Sequence, residues 1–130
     1  MLFRSDSQLA ESLEEWLERI PSRPRYIYCD PAAASFREEL KQRGMITYKA
    51  DNAVLDGIRQ IDSLLNAGDL TIDPSCKQLQ EEMNSYKWDV KATEKGKDAV
   101  IKENDDHVDA LRYAVRSSRH IWRKQIDSIH

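Results

Sequence analysis

Two short apolar runs, each followed by an amphipathic segment, constrain the fold more than any other feature of this sequence. The first run covers Arg25 to Cys29, and the second covers Met45 to Lys49. Aromatic and β-branched residues in such runs favour β-strands. Two strand-then-helix units in succession imply a parallel pair of strands with helical crossovers. The sequence therefore predicts an α/β fold with a short parallel strand pair flanked by helices.

Helices are predicted where apolar residues recur at spacings of three and four. The first spans residues 6–20, and Ser5 or Asp6 can cap its start. Asp30-Pro31 is expected to start the next helix, which runs to about Arg43 and is ended by Gly44. The remaining predictions are a helix over 54–65 that stops near Asn66-Ala67-Gly68, helices over 74–86 and 105–126, a strand at 70–72, and a polar, lysine-rich loop at 87–104.

Composition narrows the class of protein. At 130 residues, with 40% hydrophobic and 33% charged residues, the chain fits one globular domain. Its net charge of −3 argues against binding nucleic acid through bulk charge, although a local basic face can still hold DNA. Cys29 and Cys76, the only cysteines, form neither a disulfide framework nor a zinc pattern, which favours a reduced, intracellular compartment.

Two carboxylates are candidates for metal chemistry. Asp30 ends the first apolar run, where ligands gather in open α/β sheets. Asp109 lies at the start of the last predicted helix, and the following Ala110-Leu111 puts it close to the buried face. A carboxylate there needs a partner, and a cation is one candidate. Mg²⁺ and Mn²⁺ prefer oxygen ligands, and two such ions can cleave a phosphodiester.

Each carboxylate also has a structural interpretation. Asp30 before Pro31 is a common way to cap and begin a helix. Asp109 can complete a capping box with Asp106 as the N-cap, and Asp105 and Asp106 suit the positive end of the helix dipole. His107 is either a supporting group near the carboxylates or an ordinary first-turn side chain facing solvent.

Four groups of residues, in order, resemble the motifs of a known family. They are Tyr28-Cys29-Asp30-Pro31; Leu40, Gly44, Ala50, Asn52 and Gly57-Ile58; Leu70-Thr71-Ile72, Cys76 and Glu82 through Tyr86-Lys87-Trp88-Asp89; and Lys102-Glu103-Asn104-Asp105 leading to Asp109-Ala110-Leu111-Arg112-Tyr113-Ala114. With this order and spacing, the stretch from Tyr26 to Val115 resembles the C-terminal nuclease domain of phage terminase large subunits, the DNA-packaging motors.

The resemblance implies a ribonuclease H-like fold in which three acidic residues bind two Mg²⁺ or Mn²⁺ ions and cut DNA. Asp30 and Asp109 would be catalytic residues and metal ligands, with Asp105, Asp106 and His107 as supporting groups. The implied partners are double-stranded DNA, the portal and the small terminase subunit, in the cytoplasm of a bacterial host. We also expect either a homodimer or coverage of the sheet edge by the N-terminal helix through Leu13, Trp16 and Leu17, because a sheet edge without its neighbour is a template for another chain.

Two departures from the family pattern stand out. Many members carry His three residues before the last catalytic Asp, where this chain has Asp106, with His107 shifted by one. Nothing before Tyr26 looks like the strand that carries the family's first catalytic Asp, and there is no Gly-rich phosphate loop of an ATPase. We therefore expect a single partial domain with a truncated ribonuclease H-like fold, in which residues 1–24 form a helix and linker and 25–130 the terminase-like region.

Three hypotheses follow. The first is part of a metal-dependent endonuclease that is inactive or weak alone, because the strand that carries the family's first carboxylate is missing and the third ligand has to come from Asp105, Asp106 or another chain. The second is a non-catalytic prophage remnant or interaction module that binds DNA or packaging proteins. The third is an unrelated α/β regulatory domain in which Asp30 and Asp109 are helix caps.

Overall fold

The structure, a computed structural model, describes residues 5–94 and 106–129, with the backbone alone at 86–94. Its elements are α1 (Asp6–Arg19), β1 (Tyr28–Cys29), α2 (Ala34–Gln42), β2 (Tyr48–Lys49), α3 (Val54–Ala67), α4 (Lys77–Glu94), α5 (Asp106–Ser117) and α6 (Arg119–Ile129). They fall into two units, Met1–Asp51 and Asn52–His130. No helix in the described ranges combines the length and apolarity needed to cross a membrane.

The two strands form a parallel pair, as the sequence predicts. Tyr28 lies opposite Tyr48, and Cys29 lies opposite Lys49. Each strand is two residues long, shorter than the apolar run that predicts it, because pairing requires a partner as well as a favourable local sequence. The α/β fold with a short parallel strand pair flanked by helices is confirmed.

Helix α1 begins with a capping box. The Ser5 hydroxyl accepts a hydrogen bond from the Gln8 amide at 3.2 Å, and the Gln8 side chain accepts one from the Ser5 amide at 3.0 Å. These two bonds satisfy amides that a helix start leaves without intrahelical partners. Ser5, one of the two predicted caps, is therefore the cap of this helix.

The core of the first unit lies between α1 and α2. Ala10, Leu40 and Met45 are buried, and partly buried apolar side chains pack around them: Leu13, Leu17, Cys29 and Phe36. Arg43, at the end of α2, ties the two helices together on the surface by donating to Glu14 at 3.1 Å and to Glu39 at 3.0 Å. This packing supports β1 and β2 and sets the position of the turn that follows β1.

The second unit is helical. Helix α5 packs against α3, α4 and α6. Buried Ile58 of α3 and Val108 of α5 form its centre, and Val54, Leu79 and Met83 pack around them. Helix α3 ends as predicted, because Gly68 adopts the left-handed conformation (φ 76°) and its amide donates to the carbonyls of Leu64 and Leu65.

Three predicted elements of the second unit are wrong. Residues 70–72 form no strand, since the Leu70 amide instead donates to the Leu64 carbonyl at the end of α3. Helix α4 continues through Glu94, so the predicted loop is wrong at 87–94, while 95–104 lies outside the described residues. The last predicted helix is two helices, broken at Ser118, whose hydroxyl donates to the Ala114 carbonyl.

Candidate functional site

Asp30 directly follows the last residue of β1 and closes a tight turn. Its Oδ1 accepts a hydrogen bond from the Ala32 amide at 2.8 Å, and its backbone carbonyl accepts one from the Ala33 amide at 2.9 Å. Helix α2 begins only at Ala34, so the predicted helix start at Asp30-Pro31 is wrong. The Asp-Pro pair forms a turn that reverses the chain before the helix, a common use of Asp side chains.

The same turn occurs at Asp73-Pro74. Asp73 Oδ1 accepts from the Ser75 amide at 2.9 Å, and its carbonyl accepts from Cys76 at 3.0 Å, one residue before α4 begins. Hydrogen bonding from Ser75 lowers the pKa of the Asp73 carboxyl below its usual value. Because Asp73 follows no strand in the described part of the chain, the turn alone does not define a site. What distinguishes Asp30 is its place at the carboxyl end of a parallel strand.

Asp51 lies at the same edge of the sheet, two residues after β2 ends at Lys49. The carboxyl ends of parallel strands point in one direction, so Asp30 and Asp51 both follow the strands at that edge. The sequence interpretation missed Asp51, although an acidic residue just after a predicted strand is the signal that identified Asp30. Asp51 is therefore an additional acidic candidate in the first unit.

The start of α5 is capped by a side chain from α4. Glu82 Oε1 accepts hydrogen bonds from the amides of His107 at 2.8 Å and Val108 at 3.1 Å, and Glu82 Oε2 contacts His107 Nδ1. The Glu82 side chain is only 10% exposed, whereas that of His107 is 50% exposed. His107 is thus held at its backbone and its ring by one carboxylate. Sequence interpretation gave Glu82 no role, because nothing local indicates which distant residue caps a helix.

The predicted capping box at Asp106 and Asp109 is wrong. Asp106 is the first residue of α5 rather than the residue before it, and its side chain is exposed. The carboxylate of Asp109 binds Arg112 instead. Asp105, the other expected supporting acid, lies outside the described residues.

Asp109 is half-buried on α5 and paired with an arginine of the same helix. Its Oδ1 accepts from Arg112 Nη2 at 2.9 Å, with 20% of the Asp109 side chain and none of the Arg112 side chain exposed. Arg112 Nη1 also donates to Asn52 Oδ1 at 3.0 Å. The cation that the sequence predicts beside Asp109 is thus a guanidinium in this structure. The missed signal is the position of Arg112 between Val108 and Val115 on the buried face.

The structure brings some of the predicted residues together. Asp106, His107 and Asp109 share the first turns of α5, where Glu82 and Arg112 hold them. Asp30 lies in the first unit and Asp109 in the second, so their approach to one another stays a prediction. Among the described residues, no group of three or more His, Cys, Asp or Glu side chains is placed to hold a metal ion.

The short parallel strand pair, the helices that flank it and the acidic start of α5 make this an α/β protein. A model of the family described as Terminase RNaseH-like domain matches residues 4–117. The chain belongs to this family. The match includes α1 and ends with α5, so α6 lies beyond it.

Known proteins agree with this assignment. The terminase large subunit of Escherichia phage T5 is 33% identical in an alignment of 98 residues, and the alignment covers 70% of this chain and 22% of that protein. The large terminase of the thermophilic bacteriophage D6E is 40% identical with a TM-score of 0.75, over 86% of this chain and 28% of that one. Its complex with ADP gives a TM-score of 0.76 at 38% identity and covers 92% of this chain. The chain thus spans only 22% to 28% of the length of these two relatives.

Proposed function

We propose that this chain is part of the nuclease domain of a phage terminase large subunit and contributes to metal-dependent, endonucleolytic cleavage of DNA during genome packaging. Membership of the terminase family supports this proposal. The observation that carries it is the half-buried carboxylate of Asp109, which accepts from Arg112 through Oδ1 at 2.9 Å and keeps 20% of its side chain exposed. A carboxylate held in this way is suited to bind a second cation through its remaining oxygen.

Asp30 and Asp109 are the residues that would hold Mg²⁺ or Mn²⁺. Their carboxylates are hard oxygen donors, the type these ions prefer, and neither cysteine is needed. When bound, the ions would activate the attacking water and stabilise the leaving oxygen. Asp106 and His107 would support the site by their place in the first turn of α5, and Glu82 keeps that turn in position.

Double-stranded DNA is the proposed substrate. Although the chain has a net charge of −3, Arg119, Arg123 and Lys124 are exposed on α6, and such cations can contact phosphates. The portal, the small terminase subunit and a second copy of this chain are further proposed partners. Sedimentation at several protein concentrations tests the homodimer.

Calorimetric titration with Mn²⁺ tests the metal site. We expect Asp30→Asn and Asp109→Asn each to weaken binding about tenfold or more, which corresponds to about 1.4 kcal/mol. Asp73→Asn is the matched control for Asp30, because Asp73 closes the same Asp-Pro turn without following a strand. Asp127→Asn, at an exposed position on α6, is the control for Asp109.

The double substitution Asp30→Asn with Asp109→Asn tests whether the two carboxylates share one site. Ligands of one ion act as a unit, so the double variant is expected to lose less affinity than the sum of the two single losses. Equal affinities for Asp30→Asn and Asp73→Asn would contradict a metal role for Asp30. Strictly additive losses would place the two carboxylates in separate sites.

An interaction module without catalysis is the second candidate. The observation that favours it is the apolar surface beside the sheet, where Ile46 is 77% and Tyr48 44% exposed. Exposed apolar surface of this kind often marks a contact with another protein. DNA binding that persists without any Mn²⁺ affinity would support this candidate over the nuclease.

A further inference from the structure

Arg112 is the most deeply buried charged side chain described in the second unit. It is 0% exposed, and its guanidinium joins α5 to the segment before α3 by donating to Asp109 Oδ1 at 2.9 Å and Asn52 Oδ1 at 3.0 Å. Removing a charge from water is costly unless its partners are well placed. Both partners of Arg112 are placed within hydrogen-bond distance, one on its own helix and one just before α3.

The space that Arg112 occupies depends on a glycine. A Cβ atom at Gly57 would come within 2.6 Å of Arg112 Cγ and 2.9 Å of Arg112 Cδ, closer than such atoms approach one another. The guanidinium carbon also lies 4.9 Å from the centre of the Tyr113 ring, a cation–π distance. The arginine is therefore fixed along its length, from its aliphatic stem against α3 to its charged head.

Packing alone does not account for an arginine at this position. Its Nε is buried and has no hydrogen-bond partner among the described residues, and a buried donor without an acceptor is destabilising. An apolar side chain would fill the same volume without this cost. The distinctive contribution of Arg112 is thus the pair of directed hydrogen bonds from its two terminal nitrogens.

We propose that Arg112 is a positioning residue for Asp109. It holds Oδ1 and thereby fixes the orientation of the carboxylate, which leaves Oδ2 to bind the divalent cation. Asn52 orients the guanidinium by accepting its second hydrogen bond. Gly57 leaves room for the aliphatic part of the Arg112 side chain, because it has no Cβ atom. The proposal rests on the proposed function, because the fixed carboxylate matters to function only if it binds a metal ion.

The test compares Mn²⁺ affinity, measured by calorimetry well below the melting temperature, in Arg112→Lys and Asn52→Ala. Lysine keeps the charge but cannot donate to Asn52 and Asp109 in the fork geometry of a guanidinium. We expect binding to weaken about tenfold in Arg112→Lys, as for other residues that orient a metal ligand. Asn52 is an exposed position, so Asn52→Ala is expected to fold and to weaken binding about twofold to tenfold.

Arg116→Lys is the matched control, since Arg116 lies one turn further along α5, would also contact a side chain at Gly57, and donates through Nη1 to Gln60 Oε1. It is expected to bind Mn²⁺ as the wild type does. If Arg112→Lys does not fold, Asn52→Ala decides. If Arg112→Lys folds and binds Mn²⁺ as tightly as the wild type, the proposal is overturned. If Arg112→Lys is unfolded, wild-type Mn²⁺ affinity in Asn52→Ala overturns it.

A second measurement separates this inference from the proposed function. The ¹³C resonance of the Asp109 carboxyl group, recorded without metal, is expected to move in both Arg112→Lys and Asn52→Ala and to stay in place in Arg116→Lys. If the wild type does not bind Mn²⁺ but these shifts are present, the nuclease proposal is refuted, while Arg112 remains the group that orients Asp109. An unmoved resonance would refute the positioning role itself.

Discussion

The Glu82 carboxylate joins two helices that the sequence presents as independent. It accepts hydrogen bonds from two amides at the start of α5 while remaining almost fully buried. These amides have no carbonyl partner within their own helix, so Glu82 caps them from α4. It also interacts favourably with the positive end of the helix dipole. The acidic turn that bears Asp106 and Asp109 therefore depends on a residue of α4.

Replacing Glu82 tests this dependence. Glu82→Ala is expected to lower the free energy of unfolding by about 1–2 kcal/mol, as loss of a helix cap does. Glu82→Gln keeps a side-chain oxygen and should lose less. Glu81→Ala, at the exposed neighbouring position, is the control. Thermal or urea unfolding measures the difference, and equal stabilities for Glu82→Ala and Glu81→Ala would show that the cap contributes nothing.

Which site residues the sequence could predict depends on how local their signals are. Asp30 at the end of a strand could be predicted, because the apolar run and the Asp-Pro pair are adjacent. The presence of some cation beside Asp109 could also be predicted, since a carboxylate near a buried face needs a partner. The sequence could not identify that cation as Arg112. It could not give the roles of Asn52 and Glu82 either, because these roles arise from contacts between segments distant in sequence.

The helix ends at Ser5 and Gly68 are well predicted, whereas the helix starts at Asp30 and Asp106 and the lengths of several elements are not. Ser5 and Gly68 act through bonds within four residues, so the local sequence contains the whole signal. The strands are shorter than predicted and the strand at 70–72 is absent, because strand formation requires a partner that the local sequence does not specify. Helix α4 continues through Glu94, although the polar composition after residue 86 favours a loop.

Gly68 offers a test at this scale. Its φ of 76° lies in the left-handed region, and a Cβ added there would meet no atom within 4 Å. The cost of Gly68→Ala is therefore purely conformational, and we expect it to lower the free energy of unfolding by about 1–2 kcal/mol. Gly68→Asn should lose less, because asparagine tolerates this conformation better. Equal losses for Ala and Asn, measured by urea unfolding, would contradict this explanation.

The two units divide the candidate residues between them. Asp30 and Asp51 belong to the first, and Asp109 with its supporting residues belongs to the second. Neither unit alone contains both carboxylates to which the resemblance assigns catalysis.

Cleavage of DNA by this chain alone is expected to be weak or absent. Two-metal cleavage needs carboxylates on both sides of the ion pair, and the resemblance assigns only Asp30 and Asp109 of the family's three. The measurement is nicking of supercoiled plasmid with Mn²⁺, with Asp30→Ala and Asp109→Ala as controls. Robust nicking that both substitutions abolish would contradict the expectation, and loss of that nicking in Asp51→Asn would identify the third carboxylate.

The parallel pair also has a consequence for the order in which the chain folds. Two backbone bonds, from the Tyr48 amide to Ile27 and from the Ala50 amide to Cys29, join segments separated by all of α2. Closing that loop costs chain entropy before either bond forms, so we expect α2 to dock on α1 before the strands pair. The Tyr48 and Ala50 amides should then exchange with deuterium sooner than the Leu40 amide. The backbone on which Asp30 depends would be the last part of the first unit to assemble, and the first to open.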